Sequence, residues 1–75
     1  MQVLLDDISK IKEFVRLVNH SNCDIDLISG KNKFLDAKSI LGVMSCNIHE
    51  PLTIEIIGSD EEKKLLIESI KDYIV

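Results

Sequence analysis

The chain has 75 residues, with 9 Lys and Arg against 13 Asp and Glu and a formal charge of −4. That length holds one hydrophobic core, so residues 1–75 are expected to form a single domain. The acidic balance disfavours a nucleic-acid partner held by phosphate contacts or a polybasic membrane anchor, no apolar stretch approaches a bilayer span of about 20 residues, and the start lacks a signal-peptide pattern. Two cysteines, Cys23 and Cys46, are too few for a disulfide-stapled scaffold, which favours a reducing, cytoplasmic setting. Phe14, Phe34 and Tyr73 are the only aromatic residues, so the core must be aliphatic.

In chain order, residues 2–5 (QVLL) are short, apolar and β-compatible and predict a first strand. Asp6 or Asp7 can cap the helix that follows, because a carboxylate accepts from the free N–H groups of a helix start. Ile8, Ile11, Val15 and Val18 recur at helical spacing, with Phe14 and Leu17 widening the stripe, as far as about His20. Residues 23–27 (CDIDL) then alternate, with Cys23, Ile25 and Leu27 on one face and Asp24 and Asp26 on the other. Residues 29–32 (SGKN) read as a turn into a short strand at 33–36, completing a hairpin over 23–36.

Residues 36–46 (DAKSILGVMSC) place Ser39 before a stub of helix containing Ile40, Leu41, Val43 and Met44, weakened by Gly42. A loop bounded by Asn47 and Pro51 leads to a strand at 52–58, with Leu52, Ile54 and Ile56 on one face and Gly58 at its end. Ser59 and Glu62 have the spacing of a capping box for a last helix over 60–74, with Leu66, Ile67, Ile70, Tyr73 and Ile74 as its apolar stripe. The order β-α-β-β-α-β-α, with two full helices on one face of four strands, gives an α+β two-layer sandwich.

This element order, together with the run DAKSILGVMS, resembles the HPr family, the histidine-containing phosphocarriers of the bacterial sugar phosphotransferase system. The resemblance runs from about Phe14 onward and implies an open-faced sandwich with a four-stranded antiparallel sheet. In that family a phosphorylatable histidine, in a His-Ala-Arg-Pro-Ala run, opens the first helix. Here LLDDISKIKEF stands in its place, with Asp7 near the position of the histidine and Ser9 near that of the arginine. The run contains no histidine, arginine or proline, so histidine phosphotransfer is not expected and no catalytic activity is assigned.

Other residues carry groups capable of chemistry. His20 lies at the far end of the first helix and His49 in a loop, neither with an arginine beside it in sequence; both read as surface histidines. Asp7 could form an acyl phosphate, but such sites need a metal held by further acids, and the helix cap is the simpler role. His20-x-x-Cys23 and Cys46-x-x-His49 mirror each other at zinc-like spacing, yet the implied fold sends Cys23 inward and sets the two pairs toward opposite ends of the sheet. No metal or other cofactor is expected.

The resemblance makes Ser39 a candidate phosphorylation site, because the matching serine is a regulatory site in many Gram-positive members. It makes Ile40, Leu41 and Met44 candidate partner-binding residues. A serine cap would hold its hydroxyl at the positive end of the short helix, where a phosphate is electrostatically tolerated. Three readings stand. The first is a regulatory, protein-binding domain engaging a serine kinase, a regulator or a phosphotransferase-system protein. The second is a phosphocarrier with a relocated acceptor, and the third a structural subunit retaining only the fold.

Overall fold

The computed structural model describes residues 1–30 and 33–75. Four antiparallel strands form one sheet in the order β1-β4-β2-β3: β1 (Gln2–Val3), β2 (Asp24–Ser29), β3 (Lys33–Asp36) and β4 (Leu52–Ile57). Helices α1 (Ile8–Asn19), α2 (Ile40–Met44) and α3 (Asp60–Ile70) complete the β-α-β-β-α-β-α order, followed by a 3-10 turn over Lys71–Tyr73. The part of the expected turn that falls on residues 31 and 32 lies outside the described residues.

The alternation read in the strands is the alternation of burial. Cys23, Ile25 and Leu27 are buried beside Leu52 and Ile54, in a core that also takes Ile11, Phe14, Val15 and Val18 from α1 and Leu66 and Ile70 from α3. Phe14 meets Tyr73 edge to face, ring centroids 6.0 Å apart. Gly58 is dictated by close approach rather than by dihedral angle, since a Cβ there would stand 2.7 Å from the Cys23 sulfur.

Four local expectations change. The first strand is shorter than residues 2–5 because the chain leaves β4 after Val3: the Leu4 N–H donates to Tyr73 O at 2.9 Å, and Val3 bridges Ile74. The C-terminal segment thus lies against β1, and Leu5 drops into the core. Ile8, placed in the buried stripe, is exposed at the first turn of α1. The last helix gives way to the 3-10 turn after Ile70, so within its stripe Leu66 and Ile70 are buried while Ile67, Tyr73 and Ile74 are half-buried. The capping box is half made: Ser59 Oγ accepts from the Glu62 N–H at 3.2 Å, and no return bond from the Glu62 carboxylate occurs among the described residues.

Candidate functional site

The stub of helix at α2 is short for a reason that its ends make plain. Five residues cannot hold a helix alone, because nucleation costs more than one turn of hydrogen bonds returns. Here both termini are fixed from outside. Upstream, the Asp36 carboxylate accepts from the Lys38 N–H at 2.9 Å, and Asp36 O accepts from the Ser39 N–H at 3.0 Å. Ala37 is buried and donates its N–H to Ile25 O at 3.1 Å. Asn19, the last residue of α1, donates its side-chain amide to Val15 O at 2.8 Å and to Lys38 O at 3.1 Å. Lys38 returns the contact, its ammonium donating to Ser21 O at 3.0 Å.

Ser39 is extended at φ −99 and ψ 111 and caps α2, its Oγ accepting from the Gly42 N–H at 3.2 Å. Gly42, the apparent weak point, stands beside that hydroxyl: a Cβ on it would lie 3.3 Å from Ser39 Oγ. The glycine costs helix propensity and keeps one side of the serine clear. At the other end Ser45 Oγ donates to Gly42 O at 2.6 Å, the Cys46 thiol to Val43 O at 2.8 Å, and the Lys33 ammonium to Ser45 O at 3.1 Å. Burial raises the Cys46 thiol above its ordinary value of 9.0, so it stays protonated at neutral pH.

Pinned in this way, α2 sends Val43 fully into the core and leaves Ile40, Leu41 and Met44 at 37%, 80% and 45% exposure. The three apolar residues nominated for partner binding are thus turned to solvent, beside the half-buried Ser39. The contributions of Asn19, Lys33 and Lys38 were not legible in the sequence, because each acts on a backbone carbonyl brought near by tertiary packing. The short Asp36-to-Ser39 spacing was the one local signal of a built turn.

The start of α1 is a different environment. Asp7 caps it, Oδ1 accepting from the Lys10 N–H at 2.8 Å, and that bond, first among the causes, holds the Asp7 carboxyl below its ordinary value of 3.8. Asp6 pairs with the Lys10 ammonium at 2.7 Å and is likewise lowered, with a small further contribution from His49. His20 ends α1 as its C-cap and borders a groove of about 250 Å³ between α1 and α3, floored by Leu17 and Leu66. Cys23 is buried against Gly58, and no group of three His, Cys, Asp or Glu among the described residues could hold a metal, so the mirrored His–Cys pairs do not assemble. No helix among them is long and apolar enough to cross a membrane.

Compared with known proteins, residues 9–75 match the family model described as "PTS HPr component phosphorylation site". The match begins at Ser9, immediately after Asp6, Asp7 and Ile8. No curated protein matches. Among solved structures, the chain is similar to Crh, the Bacillus subtilis catabolite repression containing protein, whose crystal structure shows a swapped domain in an intertwined dimer. The TM-score is 0.65 at 24% identity, over 100% of this chain and 88% of that one, which is a likeness of fold.

Proposed function

We propose that this chain, which belongs to the HPr family of the phosphotransferase system, acts by docking protein partners through α2 and not by relaying phosphate on a histidine. The family's members are non-catalytic carriers and regulators, related to the phosphotransferase system. The observation that carries the reading is the outward display of Ile40, Leu41 and Met44 on a helix fixed at both ends, in which only Val43 is buried. A rigid apolar face loses little side-chain and backbone freedom on association, and methionine adapts to more than one partner. The partners proposed are a serine kinase, a regulator or a phosphotransferase-system protein, met in the cytoplasm.

Ser39 is proposed as the switch on that face. Its side-chain oxygen already accepts from a free N–H of α2, and Gly42 offers no Cβ on that flank. A phosphate there would add close to two negative charges beside Ile40 without breaking the cap, altering recognition more than fold.

The relocated-carrier reading is disfavoured on physical grounds. The positive end of α1 is already occupied by the Asp7 carboxylate, with Asp6 alongside. A phosphoryl group brought to that helix end would meet two like charges. Incubation with the system's phosphoryl-donor enzyme and phosphoenolpyruvate is expected to leave the protein unlabelled. Acid-labile, base-stable phosphate mapped to His49 or His20 would restore the carrier reading.

The docking reading is tested by Met44→Glu and Leu41→Glu, followed by titration calorimetry against the family's serine kinase and phosphotransferase enzymes. Loss of binding with the fold retained supports it. Unchanged binding in both variants removes it. Mass spectrometry after incubation with kinase and ATP tests Ser39 separately, with phosphate at any other serine counting against the switch.

A further inference from the structure

The sheet face turned away from the helices has its own organisation. Alternation along β2, β3 and β4 sends one set of side chains to the core and leaves Asp24, Asp26, Ile28, Phe34, Asp36, Thr53, Glu55 and Ile57 on the outer side. Strand register then aligns the acids. Asp36, Asp26 and Glu55 stand directly opposite one another across three adjacent strands, and Asp24 lies two positions along from Asp26. Phe34, Ile28 and Thr53 form the row on one side of this acidic line, and Ile57, opposite Asp24, lies on the other. Phe34 and Ile57 are each 63% exposed.

Like charges directly opposite each other weaken a sheet. None of these outward positions is Lys, Arg or His, so no cation among them offsets the repulsion. The three ion pairs among the described residues, Lys10–Asp6, Arg16–Glu13 and Lys71–Glu68, lie on or beside helices. Among the described residues, Asp36 alone of these acids has a hydrogen-bond partner, the Lys38 N–H. The free protein thus carries a row of carboxylates between exposed apolar side chains, on the side of the sheet opposite α2.

We infer that this open sheet face docks a basic polypeptide segment of a partner protein, with Lys or Arg side chains over the Asp36–Asp26–Glu55 row and apolar side chains against Phe34, Ile28 and Ile57. Charge complementarity selects this occupant. A second copy of the chain would bring two carboxylate rows together, and nucleic acid or an anionic membrane would be repelled. A cationic partner gains twice, because it contacts the carboxylates and relieves their mutual repulsion. The inference does not depend on α2, since the two faces lie on opposite sides of the sheet.

The probe is a short synthetic peptide in which lysines alternate with leucines, so that an extended strand presents both chemistries with the period of the sheet. Its affinity is measured by titration calorimetry and its site by amide chemical-shift changes. The variant Asp26→Asn with Glu55→Gln is compared with Glu61→Gln with Asp72→Asn, which removes the same charge from exposed positions on α3 and the turn after it. The open-face pair is expected to weaken binding by about tenfold, and the control pair by less than about twofold. Phe34→Ser should weaken binding while keeping its salt dependence, and shift changes should fall on β2, β3 and β4. Asp26→Asn should raise the melting temperature by relieving the row, so a folding defect would not mimic lost binding. Equal losses in the two charge pairs would reduce the effect to net charge and overturn the inference, as would shifts confined to the helices or no binding at low salt. Met44→Glu should leave peptide binding intact, which separates failure here from failure of the α2 reading.

Discussion

The starts of α1 and α2 use the same device to different ends. In each, a side-chain oxygen accepts from the N–H three residues on: Asp7 from Lys10 at 2.8 Å, and Ser39 from Gly42 at 3.2 Å. At α1 the acceptor carries a charge and is reinforced by Asp6, so the end of the helix that could attract an anion is already neutralised. At α2 the acceptor is a neutral hydroxyl beside a glycine, and the helix it starts turns apolar residues outward. Two caps that look alike in hydrogen bonding therefore differ in what they leave available. The first ends its role at stability. The second keeps an oxygen that can be modified next to a surface that can be read.

Substitutions sharpen the contrast, beginning with the largest effect. Val43→Asp should unfold the protein or cost more than about 4 kcal/mol, because it buries an unpaired charge where the side chain is fully enclosed. Leu41→Glu, two positions earlier on the same helix, should stay within about 0.5 kcal/mol in denaturant unfolding. Similar losses for the two would show α2 to be wholly core and would break the docking reading. Gly58→Ala should follow, at about 1–3 kcal/mol, because its Cβ meets the buried Cys23 sulfur.

Asp7→Ala removes the α1 cap and should lower the melting temperature by a few degrees, about 4–8 °C for a domain of this size. The pH dependence carries a sign. Because the folded Asp7 carboxyl lies below its ordinary value of 3.8, its contribution is complete above that value and is lost as pH falls through the lower folded one. Asp7→Asn, which keeps a capping oxygen without the charge, should flatten that acid limb in thermal melts from pH 2 to 6, a span of about two units either side of an ordinary Asp.

The smallest stability changes belong to the serine cap. Ser39→Asp should remain within about 1 kcal/mol of the parent, since one good capping residue replaces another. Gly42→Ala balances a gain in helix propensity of about 1 kcal/mol against a tight contact with Ser39 Oγ. Its informative readout is the rate of kinase labelling at Ser39, expected to fall as the added methyl crowds the hydroxyl. An unchanged rate would show that the clear flank has no part in access.

The sequence was most legible where a residue's role follows from its neighbours along the chain. The alternation of Cys23, Ile25 and Leu27, the spacing of Ile11, Val15 and Val18, and the caps at Ser39 and Ser59 all emerge as read, and of the two candidates Asp6 and Asp7 it is Asp7 that caps α1. Exposure of Leu41 and Met44 was open in the sequence, because an apolar residue on so short a helix serves a core or a surface equally well. Ile8 shows the converse: it has the right period but, at the first turn of α1, is exposed.

By itself, the sequence determined the number and kind of elements and the two-layer arrangement, because local periodicity and capping are chemical properties of adjacent residues. The tertiary structure alone decided how α2 is held, through Asn19, Lys33 and Lys38 acting on distant carbonyls. It also decided that the C-terminal segment covers β1 and that Asp36, Asp26 and Glu55 stand in one row. These depend on which strands pair and in what register, and that choice is made by the packing of the whole core, not by any stretch of chain on its own.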